Sequence, residues 1–353
     1  MAIYKIFPSA DSTIYSSAPI KNTGLDEILE VSVKNNGISQ DDIRRALIKF
    51  SDSDLEIINN LKSEYSWQAN LKLYLANAEG LSIPYTLEFN QITDDWLMGT
   101  GKFLDSPQTT NGVSWYSTGS YIGGSNTWSN PSYYITPGGG SWSNGVVQSF
   151  DYKDDKDINA DITQIVQNWF NGDNNYGIII KHETAIENNQ DSFITLSYFS
   201  VDTHTIFPPC LEIRWDDSTY NNGDLAIIDN SNTIITIANN PYKIKANDGK
   251  YQFRVSARDK YPVRTFSTAS IYTVNKALPE TSYWSIQDVK TEDIIFDFDE
   301  DYTKISCDEQ GSFINIFTNG LELERYYKIL IKIVLDSGES YIVDNNNIFK
   351  IIR

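Results

Sequence analysis

Few residues in this chain have both the type and the spacing for chemistry, and each candidate has a plain alternative. Two histidines, His182 and His204, have no Ser or Cys motif beside them. Cys210 stands between Pro209 and Leu211 at the start of an apolar run, where a thiol stays protonated and inert. The other cysteine, Cys307, is far away, so no disulfide is expected and no metal-ligand spacing exists. The chain carries 47 Asp and Glu, but nothing selects the pair that glycoside hydrolysis would need. The chain reads as a non-enzyme. Asp151, Asp154, Asp155 and Asp157 crowd one stretch without the order of a calcium-binding helix–loop–helix. Asp297, Asp299 and Asp301 alternate. If that segment is extended, three carboxylates share a face and a calcium ion would relieve their repulsion; if it is a turn, they point into water. No other cofactor is implied.

A second kind of chemistry is contact. Residues 105–150 are rich in Gly, Ser, Asn and Trp and read as a long decorated loop with one or two short strands. Trp115, Tyr116, Tyr121, Trp128, Tyr133, Tyr134 and Trp142 are dense there, and exposed aromatics stack on sugars or anchor interfaces at little entropic cost. The alternative is that Trp115 and some of the tyrosines fold back onto the domain. Gly138-Gly139-Gly140 is not a phosphate cradle, because no Lys-Ser/Thr follows it.

The elements that must position these residues are mostly strands. Short alternating runs separated by Asn, Asp, Gly and Ser recur along the chain, the pattern of an all-β protein. They include residues 3–7, 13–15, 28–33, 46–50, 69–75, 86–92, 176–180, 194–199 and 211–215. Beyond a polar stretch at 216–224 they continue at 226–237, 250–257, 313–317, 326–335 and 340–343. Two helices are expected. Leu55, Ile58 and Leu61 mark one; Ile162, Ile165, Val166 and Trp169, at i, i+3, i+4 and i+7, mark a short bracing helix. Asp161 or Thr163 can cap that helix and Gly172 can end it in a left-handed conformation.

Formal net charge is −19, a field that repels nucleic-acid phosphates and anionic membranes. No run approaches the ~18 apolar residues of a membrane-spanning helix, and the first residues lack the pattern of a signal peptide. Synthesis in a cytoplasm, without nucleic-acid binding or membrane insertion, is the expectation.

The order of motifs resembles a DNRLRE-type β-sandwich domain over about residues 5–215. Ala10-Asp11-Ser12-Thr13-Ile14-Tyr15, Asn22, Gly24 and Arg45-Ala46-Leu47-Ile48-Lys49-Phe50 resemble its opening. Ala69–Leu75, Ile92 with Trp96, and Val113-Ser114-Trp115 resemble its middle. Asp161-Ile162-Thr163, Val166, Trp169, Gly172 and Asn175-Tyr176-Gly177, then Phe199-Ser200 and Pro209–Ile213, resemble its close. One departure stands out: where the family has Ser-Arg-Glu, this chain has Ser200-Val201-Asp202, so nothing that depends on that Arg carries over.

The C-terminal part resembles virion proteins of tailed, marine T4-like phages in 255–262, 276–279, 283–288, 302–308, 319–327 and the final Phe349–Arg353. Together the resemblances imply a jelly-roll-like β-sandwich over 1–216, a linker at 217–225, and one or two Ig-like β domains over 226–353, split near 279. They imply a virion structural protein, located in the particle after synthesis in the host cytoplasm and docking with other virion proteins in a symmetric multi-copy assembly. Arg258, Tyr261, Tyr283, Trp284, Arg325 and Tyr326 are docking candidates beside Trp115, Tyr121, Trp128, Tyr133 and Trp142. The alternative is an adhesin that binds host glycan through the 113–142 loop, since DNRLRE-type sandwiches are similar to polysaccharide-binding modules.

Overall fold

The protein is described by a computed structural model covering residues 2–35, 40–62, 65–81, 84–120, 126–128, 137–143, 145–189, 193–246, 249–262 and 274–353. It is an all-β sandwich fold built mainly of antiparallel sheets. The chain divides into two compact units, one holding residues 5–63 and 68–212, the other residues 1–4, 64–67 and 213–353.

Up to Trp215 the strands are β1 (Ala2–Ile6), β2 (Ala10–Tyr15), β3 (Ile28–Asn35), β4 (Gln40–Lys49), β5 (Trp67–Leu73), β6 (Leu75–Glu79), β7 (Tyr85–Gln91), β8 (Val146–Phe150), β9 (Ile158–Asp161), β10 (Ile178–His182), β11 (Phe193–Phe199) and β12 (Cys210–Trp215). The larger sheet runs β6-β11-β3-β4-β10-β7-β8, with β2 also on β4. The smaller runs β1-β12-β5-β9. Strand β10 lies between β4 and β7 and is buried along its whole length, so both of its faces are covered. That accounts for its unbroken Ile178-Ile179-Ile180 run, where a half-exposed strand would alternate.

Helix α1 (Asp52–Lys62) buries Leu55 and Ile58, while Leu61 stays 40% exposed. Helix α2 (Thr163–Phe170) is the bracing helix and buries Ile165, Val166 and Trp169. Its first amide, on Thr163, donates to the Asp161 carboxylate (3.0 Å), and the chain leaves the helix at Gly172 with φ +107°. Helix α3 (Thr184–Glu187) is a single turn after β10.

The second unit contains β13 (Thr233–Ile237), β14 (Lys243–Lys245), β15 (Lys250–Asp259), β16 (Ser282–Asp288), β17 (Ile294–Phe296), β18 (Ser306–Asp308), β19 (Gly311–Phe317), β20 (Tyr326–Val334) and β21 (Ser340–Ile352). These form two sheets, β13-β15-β19-β18 and β14-β21-β20-β16-β17. In β20 every second residue, Tyr327, Ile329, Ile331 and Ile333, is buried, the period-2 signature of one face on a core. Pro279 does not split this region in two, because β15 pairs with β19 and β14 with β21 across it. The polar 216–224 stretch is bonded into this unit: Tyr220 donates to the Leu278 carbonyl (2.7 Å) and Lys250 pairs with Asp217 (3.1 Å).

Candidate functional site

The aromatic loop was expected to be a contact surface, and the described part of it is largely core. Trp128 has no exposed surface; its indole N–H donates to the Ser114 carbonyl (2.9 Å) and it packs with Ile14, Trp96, Val113 and Ile179. Trp115 and Trp142 are half-buried and pack against the same cluster. Tyr116 is 38% exposed. Tyr121, Tyr133 and Tyr134 lie outside the described residues.

What pulls the loop inward is a charge that sequence reading passed over. Arg44 and Arg45 are neighbours on β4, so their side chains leave opposite faces of the sheet. Arg44 pairs with Glu30 (2.8 Å), near the Tyr15 ring. Arg45, 9% exposed, donates to both oxygens of Glu187 (3.0 and 2.7 Å) and to the carbonyl of Gly138. Its guanidinium also lies over Trp115 (5.0 Å) and Trp142 (5.2 Å). Lys181, 1% exposed, pairs with its cross-strand neighbour Glu88 (2.8 Å) and lies 3.8 Å from Glu187. Two buried cations are thus matched by two carboxylates. The Gly138–Gly140 run serves this packing: a Cβ on Gly139, at φ +107°, would come within 2.5 Å of the Ile179 side chain. The sequence signal available was Lys181, a charge directly after the apolar Ile178-Ile179-Ile180 run; Arg45, beside Arg44 in the mixed strand β4, gave none.

The C-terminal candidates separate into core and surface. Trp284 (2% exposed) packs edge-on against Phe296, and Tyr283 (7%) is buried as well, so neither is a docking residue. Arg258 is half-buried and donates to the Asp259 carbonyl (3.3 Å), while Tyr261 is 75% exposed. Arg325 and Tyr326 come together with Asp288, Val289, Lys290 and Glu324 around a cleft of about 220 Å³. Tyr326 is 52% exposed there and Val289 38%. The Arg325 Nε donates to Asp288 (2.7 Å), whereas its Nη2 is buried without a hydrogen-bond partner. Burial pushes the Asp288 carboxyl up, but the Arg325 hydrogen bond and the Thr291 and Lys290 amides outweigh it and hold it below the usual range.

The acidic clusters are turns. Residues 297–302 are not extended. Asp299 accepts the amides of Asp301 (2.8 Å) and Tyr302 (2.9 Å) and pairs with Arg214 (3.1 Å), and Asp297 accepts the Phe298 amide. The one-face geometry argued for calcium at Asp297, Asp299 and Asp301 is therefore not formed. At 151–157, Asp154 accepts the Asp151 amide (2.7 Å) and Asp157 the Leu75 amide (2.7 Å). Among the described residues no group of three His, Cys, Asp or Glu is arranged to hold a metal. Cys210 and Cys307 are free and buried, and burial raises both thiols above their ordinary pKa. His182 is buried on β10, and loss of hydration pulls it down to about 4.

The first unit also carries open clefts. One of about 530 Å³ has Tyr15 and Phe103 in tilted contact (4.7 Å), with Asp26, Glu30 and Lys102 in its wall and Leu104, 90% exposed, beside them. Another, of about 310 Å³, lies between α1 and α2.

In comparisons with known proteins the chain matches no family model, no curated protein and no solved structure.

Proposed function

We propose that this chain is a non-enzymatic structural component of a tailed-phage particle, working by protein–protein docking with other virion proteins. The resemblance of its motif order to DNRLRE-type sandwiches and to phage virion proteins supports the setting. The observation that carries the docking reading is the Arg325–Tyr326 cleft. Arginine and tyrosine are the residue types on which interface energy concentrates. Here an exposed Tyr and Val flank a half-buried Arg held by Asp288. A partner segment that lays an apolar group against Val289 and Tyr326, with a carboxylate beside the part of the Arg325 side chain that remains exposed, would cover both. The loop-borne adhesin reading is weakened by Trp128, which is committed to the core.

The experiment is co-elution. Purified chain is run on size-exclusion chromatography with light scattering, alone and with tail and neck proteins from a phage lysate, as wild type, Arg325→Ala and Tyr326→Ala. The proposal expects a stable oligomer or a complex with virion proteins, weakened at least about tenfold by either variant. A monomer that joins no virion protein and shifts only with a glycan overturns it.

A further inference from the structure

We infer that copies of this chain associate head to tail, helix α1 of one copy lying across the outer face of the sheet β14-β21-β20-β16-β17 of another. This goes beyond docking with other virion proteins and uses neither Arg325 nor Val289, so it stands or falls without them. The two surfaces are each part apolar, and they are opposite in charge.

The inner face of the sheet sits on the core of the second unit through Ile329, Ile331 and Ile333 of β20 and Phe349 and Ile351 of β21. On the outer face, pairing sets Lys332 beside Ile342, Lys328 beside Ile348 and Lys243 beside Lys350, with Leu330 between Lys328 and Lys332. Ile342 is 57% exposed, and Leu330 and Ile348 are half-buried. A solvated sheet face is ordinarily polar, whereas here aliphatic side chains alternate with lysines. Lys328 pairs with Asp344 (2.8 Å) and Lys350 with Glu324. Lys243, Lys245 and Lys332 have no carboxylate partner among the described residues, although the chain holds 47 acids to 28 Lys and Arg. This face is short of negative charge.

Helix α1 is the complement. It buries Leu55, Ile58 and Lys62, which leaves Asp54, Ile57 and Leu61, at i, i+3 and i+7, as a stripe on another side. Ile57 is 47% exposed and Leu61 40%. Asp52, Asp54 and Glu56 place three carboxylates within residues 52–61, where there is no Lys or Arg. The nearest cation in sequence, Lys62, is turned inward over the Phe170 ring (4.8 Å). The helix therefore presents an apolar pair flanked by unmatched negative charge.

A helix laid on a sheet is one of the few layer arrangements that covers an apolar stripe on each. The 11 residues of α1 span about 16 Å and the nine of β20 about 30 Å, so the helix fits within the face. Ile57 and Leu61 would meet Ile342 and Leu330, with Asp54 and Glu56 toward the unpaired lysines. The net charge of −19 does not forbid this. At physiological salt a charge is felt over about 8 Å, so the local match counts for more than the field of the whole chain. Since the two surfaces differ, the contact is heterologous and adds copies into a ring or a row.

The test is sedimentation velocity on the full chain from about 1 to about 200 µM at about 150 mM salt. Lys332→Glu/Ile342→Thr alters the sheet face and Glu56→Lys/Ile57→Gln the helix; each is checked for an unchanged melting temperature. Wild type is expected to grow with concentration, and each double variant to weaken that association at least about tenfold. An equimolar mixture of the two keeps one intact helix and one intact sheet face, so it should recover a pair of chains and nothing larger. A wild type that stays monomeric throughout, or association that either variant leaves unchanged, would overturn the proposal. So would a mixture that associates no better than its components or grows past a pair.

Discussion

Arg45 and Glu187 are 142 residues apart in sequence and meet through a two-point pair, Nε to one carboxylate oxygen and Nη2 to the other. The pair ties β4 to α3, and the remaining Arg45 bond reaches the Gly138 carbonyl, so one guanidinium fastens three parts of the first unit. A two-point geometry of this kind is why Lys would be a poor substitute for Arg here.

Removing one side of that pair leaves a charge buried without compensation. Glu187→Gln is expected to cost about 3–5 kcal/mol in urea unfolding followed by tryptophan fluorescence. The double variant Arg45→Met/Glu187→Leu removes both charges and should recover much of the loss. A Glu187→Gln protein as stable as wild type would show that the pair contributes nothing.

The pH dependence of stability should reflect two buried groups with opposite slopes. Asp11 has no exposed surface. Burial raises its carboxyl to about 7, against the hydrogen bond from the Val201 amide and with help from Asp202. Between about pH 4 and 7 the folded state keeps a proton that the unfolded chain releases, so this group makes the protein less stable as pH rises. His182 runs the other way: the unfolded chain gains a proton below about 6.5 that the buried ring refuses until about 4, so stability falls on acidification. Asp11→Asn should steepen the acid loss, and His182→Gln should leave a protein that weakens as pH climbs from about 4 to 7. Urea midpoints measured from pH 4 to 8 decide this, and three parallel curves would refute both assignments.

Aromatic residues proposed on one footing should part company when mutated. Trp128→Ala is expected to lose about 3–5 kcal/mol, since a fully buried ring and its indole bond disappear. Tyr326→Ala should change stability by no more than about 0.5 kcal/mol while it weakens docking. Thermal melts read alongside the co-elution assay separate the two, and equal destabilisation by both variants would contradict the surface assignment of Tyr326.

Gly139→Ala should destabilise by about 1–3 kcal/mol, because its backbone is left-handed and the added methyl meets Ile179. Ile179→Val, tested together with it, should return part of that cost. No recovery in the double variant would place the whole effect in the backbone.

The all-β character, the helix at 163–170 and its stop at Gly172 were legible in the residues themselves. So was the alternation of β20. These features depend on local dihedral preferences and on the 2.0- and 3.6-residue periods, which a chain carries wherever it folds. The fate of the tryptophans was not legible. Trp115, Trp128 and Trp142 sit in a segment without period; Trp115 and Trp142 lie against Arg45, which gains its partner only when α3 brings Glu187 to it, and Trp128 packs in the cluster of Ile14, Trp96 and Ile179. The same holds for Asp297, Asp299 and Asp301, which alternate on paper but curl around Asp299 once Arg214 and two backbone amides claim its carboxylate. In the second unit, strands on both sides of Pro279 were individually visible, and only their pairing made them one body.

By itself, the sequence determined the strand-rich class, the bracing helix and the acidic charge, because each is a property of neighbouring residues or of their sum. Tertiary structure alone decided which charges are buried and paired and which aromatics are core. Those outcomes depend on sheet register and on side chains meeting across more than a hundred residues, and no local preference encodes such a meeting.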